Sequence, residues 1–165
     1  MCKRRVQHAA KNRAKKGIKW QFGLCGAGDY LDESKVMMEG LTNVFFPGWI
    51  DKPEIESLAK ISIASLAPYK NIDNYTLNTP NKIVDALMLG LPVLSPLKGE
   101  VAKLIEIHKV GFSYGEFLTL EQCILDLIED KALQKKISKT ARNLYSEEFD
   151  FNKIYDGIIL QLEKI

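Results

Sequence analysis

Short apolar runs alternate with segments of helical periodicity along most of the chain, and this alternation limits the possible folds more than any other feature. The apolar runs predict strands at residues 18–25, 43–46, 61–66, 92–95 and 111–114. Between and around them the pattern predicts helices at residues 4–16, 30–41, 52–60, 80–89, 99–108 and 120–129, with two more in the tail, broken near residues 148–151. Such alternation is typical of an α/β domain with a parallel sheet and helices on both faces.

Length and composition predict one soluble domain. The chain has 165 residues, which is enough for one compact core and short for two. Hydrophobic residues make up 46% and charged residues 27%, so composition does not favour disorder. No apolar run approaches the roughly 18 residues needed to span a bilayer, and the basic start lacks the apolar segment of a secretory signal. We therefore expect a cytoplasmic location.

One stretch, residues 79–96, has clear signals for the start and the end of a helix. Thr79 is placed to cap the first free backbone N–H groups, and Pro80 suits the first helical position. Gly90 and Pro92 are expected to end the helix after about ten residues.

Two charged side chains in this helix form the central candidate site. Lys82 lies in the first turn, where the helix dipole already presents positive charge, and Asp85 follows three residues later on nearly the same face. We expect Thr79, Asn81, Lys82 and the free N–H groups to hold a diphosphate, while Asp85 accepts hydrogen bonds from ribose hydroxyls. The alternative is a solvated ion pair between Lys82 and Asp85 with no ligand.

Two glycine-containing turns follow predicted strands and would lie at the same edge of the sheet. Gly26 and Gly28 resemble part of a dinucleotide fingerprint, but Leu31 occupies the place of its third glycine, so an ordinary strand exit is the alternative. Gly48 and Trp49 close the next strand, where Trp49 either stacks on a base or packs under the loop. The polar stretch at residues 68–79 is long for a βα connection and is predicted to be a binding loop.

Several common kinds of site are excluded or disfavoured. No GxxxxGK[ST] phosphate loop and no GxSxG nucleophile turn occurs. The cysteines and histidines have no spacing that suggests a metal site or a Cys-His nucleophile, and we expect neither a metal nor a cofactor. These residues are Cys2, Cys25, Cys123, His8 and His108.

The start of the chain is strongly basic. Eight cations precede the first acid, Asp29, although the net charge of the whole chain is only +2. Such a segment is able to bind an anionic membrane surface or nucleic acid, and a solvated helix face is the simpler alternative. The eight residues are Lys3, Arg4, Arg5, Lys11, Arg13, Lys15, Lys16 and Lys19.

Three stretches together resemble a known family. Residues 79–94, TPNKIVDALMLGLPVL, resemble the P-S-K-x-x-E-Y-x-A-x-G-x-P-V stretch of the family 4 retaining glycosyltransferases, especially the bacterial O-antigen and capsule enzymes. Residues 22–28 resemble the vGxG strand exit of this family, and residues 43–49 resemble its NVxFxGxV segment. The likeness covers nearly the whole chain, and three motifs in order are more specific than any one.

The resemblance implies a GT-B enzyme with two Rossmann-like domains, of which residues 1–165 would be the C-terminal, donor-binding domain. It implies a nucleotide sugar, expected to be UDP-linked, bound without a metal. Asp85 would hold the ribose, Lys82 would lie by the diphosphate and residues 43–50 would border the base. The resemblance does not assign a catalytic residue. The acceptor would be a surface glycan or its lipid-linked precursor, held by the other domain, with peripheral contact at the inner membrane and no nucleic acid.

The sequence departs from the family in three ways. Asp85 replaces the commoner glutamate, and Leu77 stands where many members have a second glutamate. The family's domain also begins with a strand and a basic loop, whereas residues 4–16 already match its first helix. That first strand is normally central in such a sheet, so we expect a gap between its neighbours. We expect this chain to bind nucleotide weakly and not to transfer sugar by itself.

Two other functions remain open on the sequence. One is a non-catalytic module whose basic first helix binds a membrane surface or nucleic acid. The other is a GT-B nucleotide-sugar epimerase, which shares the same domain plan.

Overall fold

A computed structural model describes residues 2–16, 20–115 and 118–163, with side chains in the first helix described for residues 4–12. The predicted start of the first strand at Ile18 lies outside the described residues. The same is true of five of the eight basic side chains near the start of the chain, those of Lys3, Arg13, Lys15, Lys16 and Lys19.

Parallel strands alternate with helices through most of the described chain, as the sequence predicts. The strands are β1 (Phe22–Cys25), β2 (Val44–Gly48), β3 (Ser65–Leu66), β4 (Val93–Ser95) and β5 (Gly111–Ser113). The helices are α1 (Cys2–Lys16), α2 (Leu31–Met37), α3 (Lys52–Ile61), α4 (Asp73–Thr76), α5 (Asn81–Leu89), α6 (Glu100–His108), α7 (Leu120–Glu129), α8 (Lys131–Leu144) and α9 (Phe151–Leu162). A π-helical turn, Tyr145–Phe149, joins α8 to α9.

The described strands form two parallel sheets. In the first sheet β1 pairs with β2, and in the second the order is β3-β4-β5. The register places Phe22 beside Val44 in the first sheet and Val93 beside both Ser65 and Gly111 in the second. No ladder joins β1 to β3 within the described residues. The expectation of a missing central strand predicts such a break in the pairing.

Apolar clusters lie on both sides of the second sheet because neighbouring strand residues point to opposite faces. Leu94 belongs to the cluster that includes residues of α1 and α7, whereas Val93 belongs to the cluster that includes residues of α5 and α6. Phe22 and Leu24 of β1 pack with the first of these clusters. The predicted fold class, a parallel α/β structure with helices on both sides, is confirmed.

Several predicted boundaries were wrong: β1 begins at Phe22 and not before it, α2 ends at Met37 and not at residue 41, and β5 ends at Ser113. Three further differences lie in or beside β2, β3 and the following loop. Residues 61–64 are not in the third strand, because Ile61 continues α3 and only Ser65 and Leu66 pair with β4. The second strand extends to Gly48, since the hydrogen bond from Gly26 N–H to the Gly48 carbonyl keeps that end paired. The loop at residues 68–79 contains the short helix α4, which no periodicity indicated.

The start of α5 also differs from the expectation. Pro80 has the extended conformation φ −62°, ψ 145° and is the N-cap residue, so α5 begins at Asn81 and no side chain caps it. The predicted capping by Thr79 is therefore wrong, and the N-terminal N–H groups of α5 are not satisfied by a side-chain cap. The predicted end is confirmed, since Gly90 adopts the left-handed conformation with φ 67°.

Candidate functional site

The two glycine turns lie side by side at the carboxyl end of the first sheet. The Gly26 N–H donates to the Gly48 carbonyl oxygen at 2.7 Å. Both residues need the freedom of glycine, because Gly26 has φ 130° and Gly48 has φ 82°. Gly28 accepts a hydrogen bond from the Leu31 N–H at 2.9 Å and so shapes the turn before α2. The sequence predicts that both turns lie at one edge of the sheet, and the hydrogen bond between Gly26 and Gly48 joins them there.

The end of β1 also lies near the start of α5. Desolvation at the strand end raises the pKa of the Cys25 thiol, and the positive charge of Lys82 offsets part of that rise. The ammonium of Lys82 is therefore close enough to interact electrostatically with the residue that precedes the Gly26 turn. This proximity brings together two of the three sequence motifs that are far apart in the chain.

Lys82 and Asp85 are both exposed, and the structure shows no ion pair between them within its described residues. The alternative expectation of a solvated intrahelical pair is thus not met. Lys82 instead adds a cation to the positive end of the α5 dipole, which is unfavourable by about 0.3–1 kcal/mol at an exposed site. An anion bound at this end would remove that cost.

Aromatic side chains from the 68–79 loop pack against the apolar cluster that includes Ile83, Ala86 and Leu87 of α5. The rings of Tyr69 and Tyr75 have centroids 4.9 Å apart at an interplanar angle of 39°. Burial raises the pKa of the Tyr69 phenol, and the neighbouring Tyr75 and the carboxylate of Asp85 raise it further. The charge of Asp85 therefore acts on the loop that the sequence predicted to bind a ligand, although no sequence pattern indicated this interaction.

Asn71 fixes the same loop to the segment that begins α6. Its Nδ2 donates to the Pro96 carbonyl oxygen at 2.9 Å, and its Oδ1 accepts from the Lys98 N–H at 2.6 Å. The Thr76 carbonyl oxygen lies where a side chain on Gly99 would project, and Gly99 has φ 70° and ψ −135°. These contacts hold the loop across the N-terminus of α6. Sequence reasoning missed them, because the partners are more than twenty residues apart.

Ser95 makes a second, buried connection at this edge. Its hydroxyl donates to the Ala67 carbonyl oxygen at 3.0 Å and accepts from the Leu97 N–H at 3.2 Å. The ends of β3 and β4 are thereby fixed together beneath the loop.

Trp49 is 73% exposed, so the alternative in which it packs under the loop is wrong. Its indole ring is available at the surface beside Gly48. The other predicted site residues lie at the same edge, with Asn81 exposed and Thr79 partly buried just before α5.

Two concave regions of the described surface lie away from this edge. One of about 360 Å³ lies along α8 and includes Lys139 and Arg142, and one of about 290 Å³ lies between α1 and the start of α7. Among the described residues, no group of three or more His, Cys, Asp or Glu side chains is arranged to hold a metal. None of the described helices has the length and hydropathy to cross a bilayer.

Comparison with known proteins identifies a family. The sequence model of the family described as "Glycosyl transferases group 1" matches residues 4–130. A search of curated proteins found no match.

Two solved structures have a similar fold. One is WaaG, reported as a glycosyltransferase involved in lipopolysaccharide biosynthesis, with a TM-score of 0.68 and 18% identity over 88% of this chain. The other is a point mutant of S. aureus TarM in complex with Fondaparinux, alpha-GlcNAc-glycerol and UDP, with a TM-score of 0.72 and 18% identity over 94% of this chain. The match covers only 39% of the WaaG chain and 31% of the TarM chain.

Proposed function

This chain belongs to the glycosyl transferases group 1 family, and we propose that it binds the nucleotide-sugar donor of a retaining GT-B glycosyltransferase. It would be the C-terminal domain of such an enzyme, with a separate domain for the acceptor. The TM-scores of 0.68 and 0.72 to two solved structures support the GT-B fold.

One observation carries the proposal: Lys82 stands at the uncapped N-terminus of α5, without a carboxylate partner among the described residues, and beside the end of β1. The free N–H groups and the ammonium there favour an anion, as helix N-termini generally do. A diphosphate brings two negative groups to a site where the chain concentrates positive potential. Lys82, Asn81 and Thr79 are its proposed contacts.

The other proposed donor contacts lie at the same carboxyl edge of the strands as Lys82. Asp85 is proposed to accept hydrogen bonds from the ribose hydroxyls, because its carboxylate is exposed one helical turn beyond Lys82. Gly48 and Trp49 would border the base, and an exposed indole offers a stacking surface for it. Gly26 and Gly28 would let the backbone approach the ligand closely.

The donor that we propose is a UDP-linked hexose, used without a metal or other cofactor for a bacterial surface glycan such as O-antigen or capsule. The TarM structure was reported in complex with UDP, and WaaG is reported to act in lipopolysaccharide biosynthesis. We further propose that the enzyme works in the cytoplasm, peripheral to the inner membrane. The acceptor, a glycan or its lipid-linked precursor, would contact the domain outside residues 1–165.

NMR titration with UDP tests the site directly. We expect UDP to shift the amide signals of residues 26–28, 48–49 and 82–85, because these segments border the proposed ligand. Amides of α7, which packs on the opposite side of the second sheet from α5, serve as the internal control. Shifts confined to other surfaces, or none at millimolar UDP in a folded sample, would show that the site is misassigned.

A further inference from the structure

Helix α8 carries a run of positive charge. Its sequence, KALQKKISKTARNL, contains five cations and no acid. The acids nearest to it along the chain lie beyond its two ends, with Asp130 before it and Glu147 after it. The net charge of the whole chain is only +2, so the charge on α8 is a local concentration. The five cationic residues are Lys131, Lys135, Lys136, Lys139 and Arg142.

The cations of α8 lie on the side that faces away from the apolar core. Ile137, Ala141 and Leu144 are buried on the inner side of the helix. An α-helix turns by about 100° and rises by about 1.5 Å per residue. Four of the exposed cations therefore fall within an arc of about 80° on the outer side, spread over about 16 Å along the helix axis. We call this set the basic stripe, and it consists of Lys131, Lys135, Lys139 and Arg142.

The charges of the basic stripe are not neutralised within the described residues. Among those residues, the ammonium groups of Lys131, Lys135 and Lys139 form no ion pair. Arg142 donates from Nη2 to the Leu89 carbonyl oxygen at 3.3 Å, which places its positive charge at the C-terminal end of α5. Like charges four residues apart destabilise a helix, so the lysine spacing does not serve the stability of α8. A partner that carries negative charge would offset this repulsion.

A concave region of about 360 Å³ lies along the basic stripe. Its described lining contains cationic, amide and hydroxyl side chains and no carboxylate. One of them, Ser138, is fixed by the hydrogen bond that its hydroxyl donates to the Gly90 carbonyl oxygen at 2.6 Å. Such a lining suits a phosphate group, which accepts charge-assisted hydrogen bonds from several donors at once. The lining residues are Gln134, Lys135, Ser138, Lys139, Arg142 and Asn143.

We propose that the basic stripe docks on an anionic phospholipid surface, with headgroup phosphates in the concave region along α8. Such a surface is flat, so the long side chains on one exposed helix face reach it without a matching groove. Each cation close to an anionic membrane strengthens binding by about fivefold. The choice of a lipid partner rests on the proposed function, in which the enzyme works beside a membrane. The donor site itself takes no part in this contact.

The basic first helix is a poorer candidate for this contact. Arg5 of α1 is partly buried, and its Nη1 donates to the Tyr114 carbonyl oxygen at 3.4 Å. Its guanidinium carbon also lies 5.6 Å from the centroid of the Tyr114 ring. This cation is therefore directed toward the protein, whereas the lysines of the basic stripe are exposed.

A nucleic acid is also a poorer partner for the basic stripe. Surfaces that bind single strands combine cations with aromatic rings on which the bases stack. The sequence of α8 contains no aromatic residue. The chain also belongs to a family of glycosyl transferases, for which a membrane that carries the acceptor is the closer partner.

Co-sedimentation with vesicles tests the proposal. The chain should bind vesicles made of equal parts of phosphatidylcholine and phosphatidylglycerol, and it should not bind vesicles of phosphatidylcholine alone. Binding should weaken as the salt concentration is raised, because salt screens the contact. A triple variant with Lys131→Gln, Lys135→Gln and Lys139→Gln should have a partition coefficient lower by about thirtyfold or more. Glutamine has nearly the helix propensity of lysine, so α8 should remain folded, which circular dichroism checks.

Two control proteins make the test specific to α8. A matched triple variant with Lys35→Gln, Lys52→Gln and Lys60→Gln removes the same charge from exposed positions of α2 and α3. It should bind within about threefold of the native chain, because charges far from the contact are screened. Ending the chain after Asp150 removes α9 with its exposed apolar side chains and should also preserve binding.

Four results would overturn the proposal: equal binding to the two kinds of vesicle, full binding by the α8 variant, an equal loss in the matched variant, or loss of binding on truncation. The stripe would be assigned to nucleic acid instead if the α8 variant lost affinity for a single-stranded RNA and kept its affinity for the vesicles. UDP affinity should be the same for the native chain and the α8 variant. Absence of UDP binding in the native chain would contradict the donor site and leave the vesicle result unchanged.

Discussion

At the scale of single residues, Asp85 and Gly99 differ in whether a ligand or the local backbone structure requires them. Asp85 is exposed on α5 and lies close enough to Tyr69 to influence the pKa of its phenol. Gly99 has a backbone conformation that is essentially restricted to glycine, and the Thr76 carbonyl oxygen lies where its side chain would project. The first residue is suited to a ligand contact, whereas the second is required by the local structure.

Replacing Asp85 tests the ribose contact. We expect Asp85→Asn to weaken UDP binding by about 1.5–3 kcal/mol, or roughly tenfold to 150-fold, since charge-assisted hydrogen bonds are of this size. Isothermal titration with UDP and with 2′-deoxy-UDP measures the effect. The native chain should bind 2′-deoxy-UDP more weakly than UDP, whereas Asp85→Asn should bind the two ligands with more similar affinity. Glu106→Gln, which changes another exposed carboxylate, is the control variant. Equal discrimination by the native chain and Asp85→Asn would remove Asp85 from the ribose role.

Replacing Gly99 tests the contact between the 68–79 loop and α6. Gly99→Ala should lower the free energy of unfolding by about 1–3 kcal/mol, because the new methyl group meets the Thr76 carbonyl oxygen and the backbone conformation becomes strained. Gly28→Ala is the matched control, since Gly28 lacks a positive φ and has open space around it. Urea denaturation measures both variants. A Gly99→Ala variant as stable as Gly28→Ala would mean that the loop does not occupy this position in solution.

At the scale of elements, the helices differ sharply in how much of each is buried. α5 buries Ile83, Ala86 and Leu87, and α7 buries five residues, so both are fixed by the core. α9 has no buried residue, although its sequence is rich in apolar side chains. Among them, Phe151 is 69% exposed and Leu162 is 64% exposed. The stability of the described structure therefore depends little on α9.

Truncation tests this inference about α9. Ending the chain after Asp150 should change the thermal midpoint by only about 2 °C or less, because surface changes that remove no buried contact alter stability by about 0.5 kcal/mol or less. Differential scanning calorimetry measures the midpoint. Ending the chain after Glu129 is the comparison, since it also removes the buried Ile137, Ala141 and Leu144 of α8, and it should unfold the protein. A large loss of stability on removing α9 alone would show that α9 packs against the domain in solution.

At the scale of the whole molecule, the proposed donor site consists of exposed side chains, among them Lys82, Asp85 and Trp49. The concave regions at α8 and between α1 and α7 do not include Lys82 or Asp85. An open donor surface is the form expected when a second domain supplies the opposite wall of the cleft. Within the described residues, the edges of β1 and β3 that face away from β2 and β4 also lack a strand partner.

The proposed division of the active site between two domains leads to a prediction about activity. Residues 1–165 alone should bind UDP but should not release UDP from UDP-glucose or UDP-N-acetylglucosamine above the uncatalysed rate, because no acceptor domain positions the reacting groups. A coupled assay for UDP release measures this, with a full-length group 1 glycosyltransferase as the positive control. Sustained turnover by the isolated chain would contradict the division of the active site between two domains.

The sequence by itself determined the α/β class, the positions of most helices and strands, and the placement of Lys82 in the first turn of α5. These properties depend on local periodicity, on helix-ending residues such as Gly90 and on the direction shared by parallel strands. Local patterns also misplaced the cap of α5 and the start of β3, where backbone geometry and pairing decided the outcome.

Only the tertiary structure decided which distant segments meet. The hydrogen bonds of Asn71 to residues 96–98, the approach of Tyr69 to Asp85 and the proximity of Cys25 to Lys82 join residues that are far apart in the chain. The open edges of β1 and β3 are likewise a property of strand pairing. Contacts of this kind depend on how the elements pack, which no local pattern records.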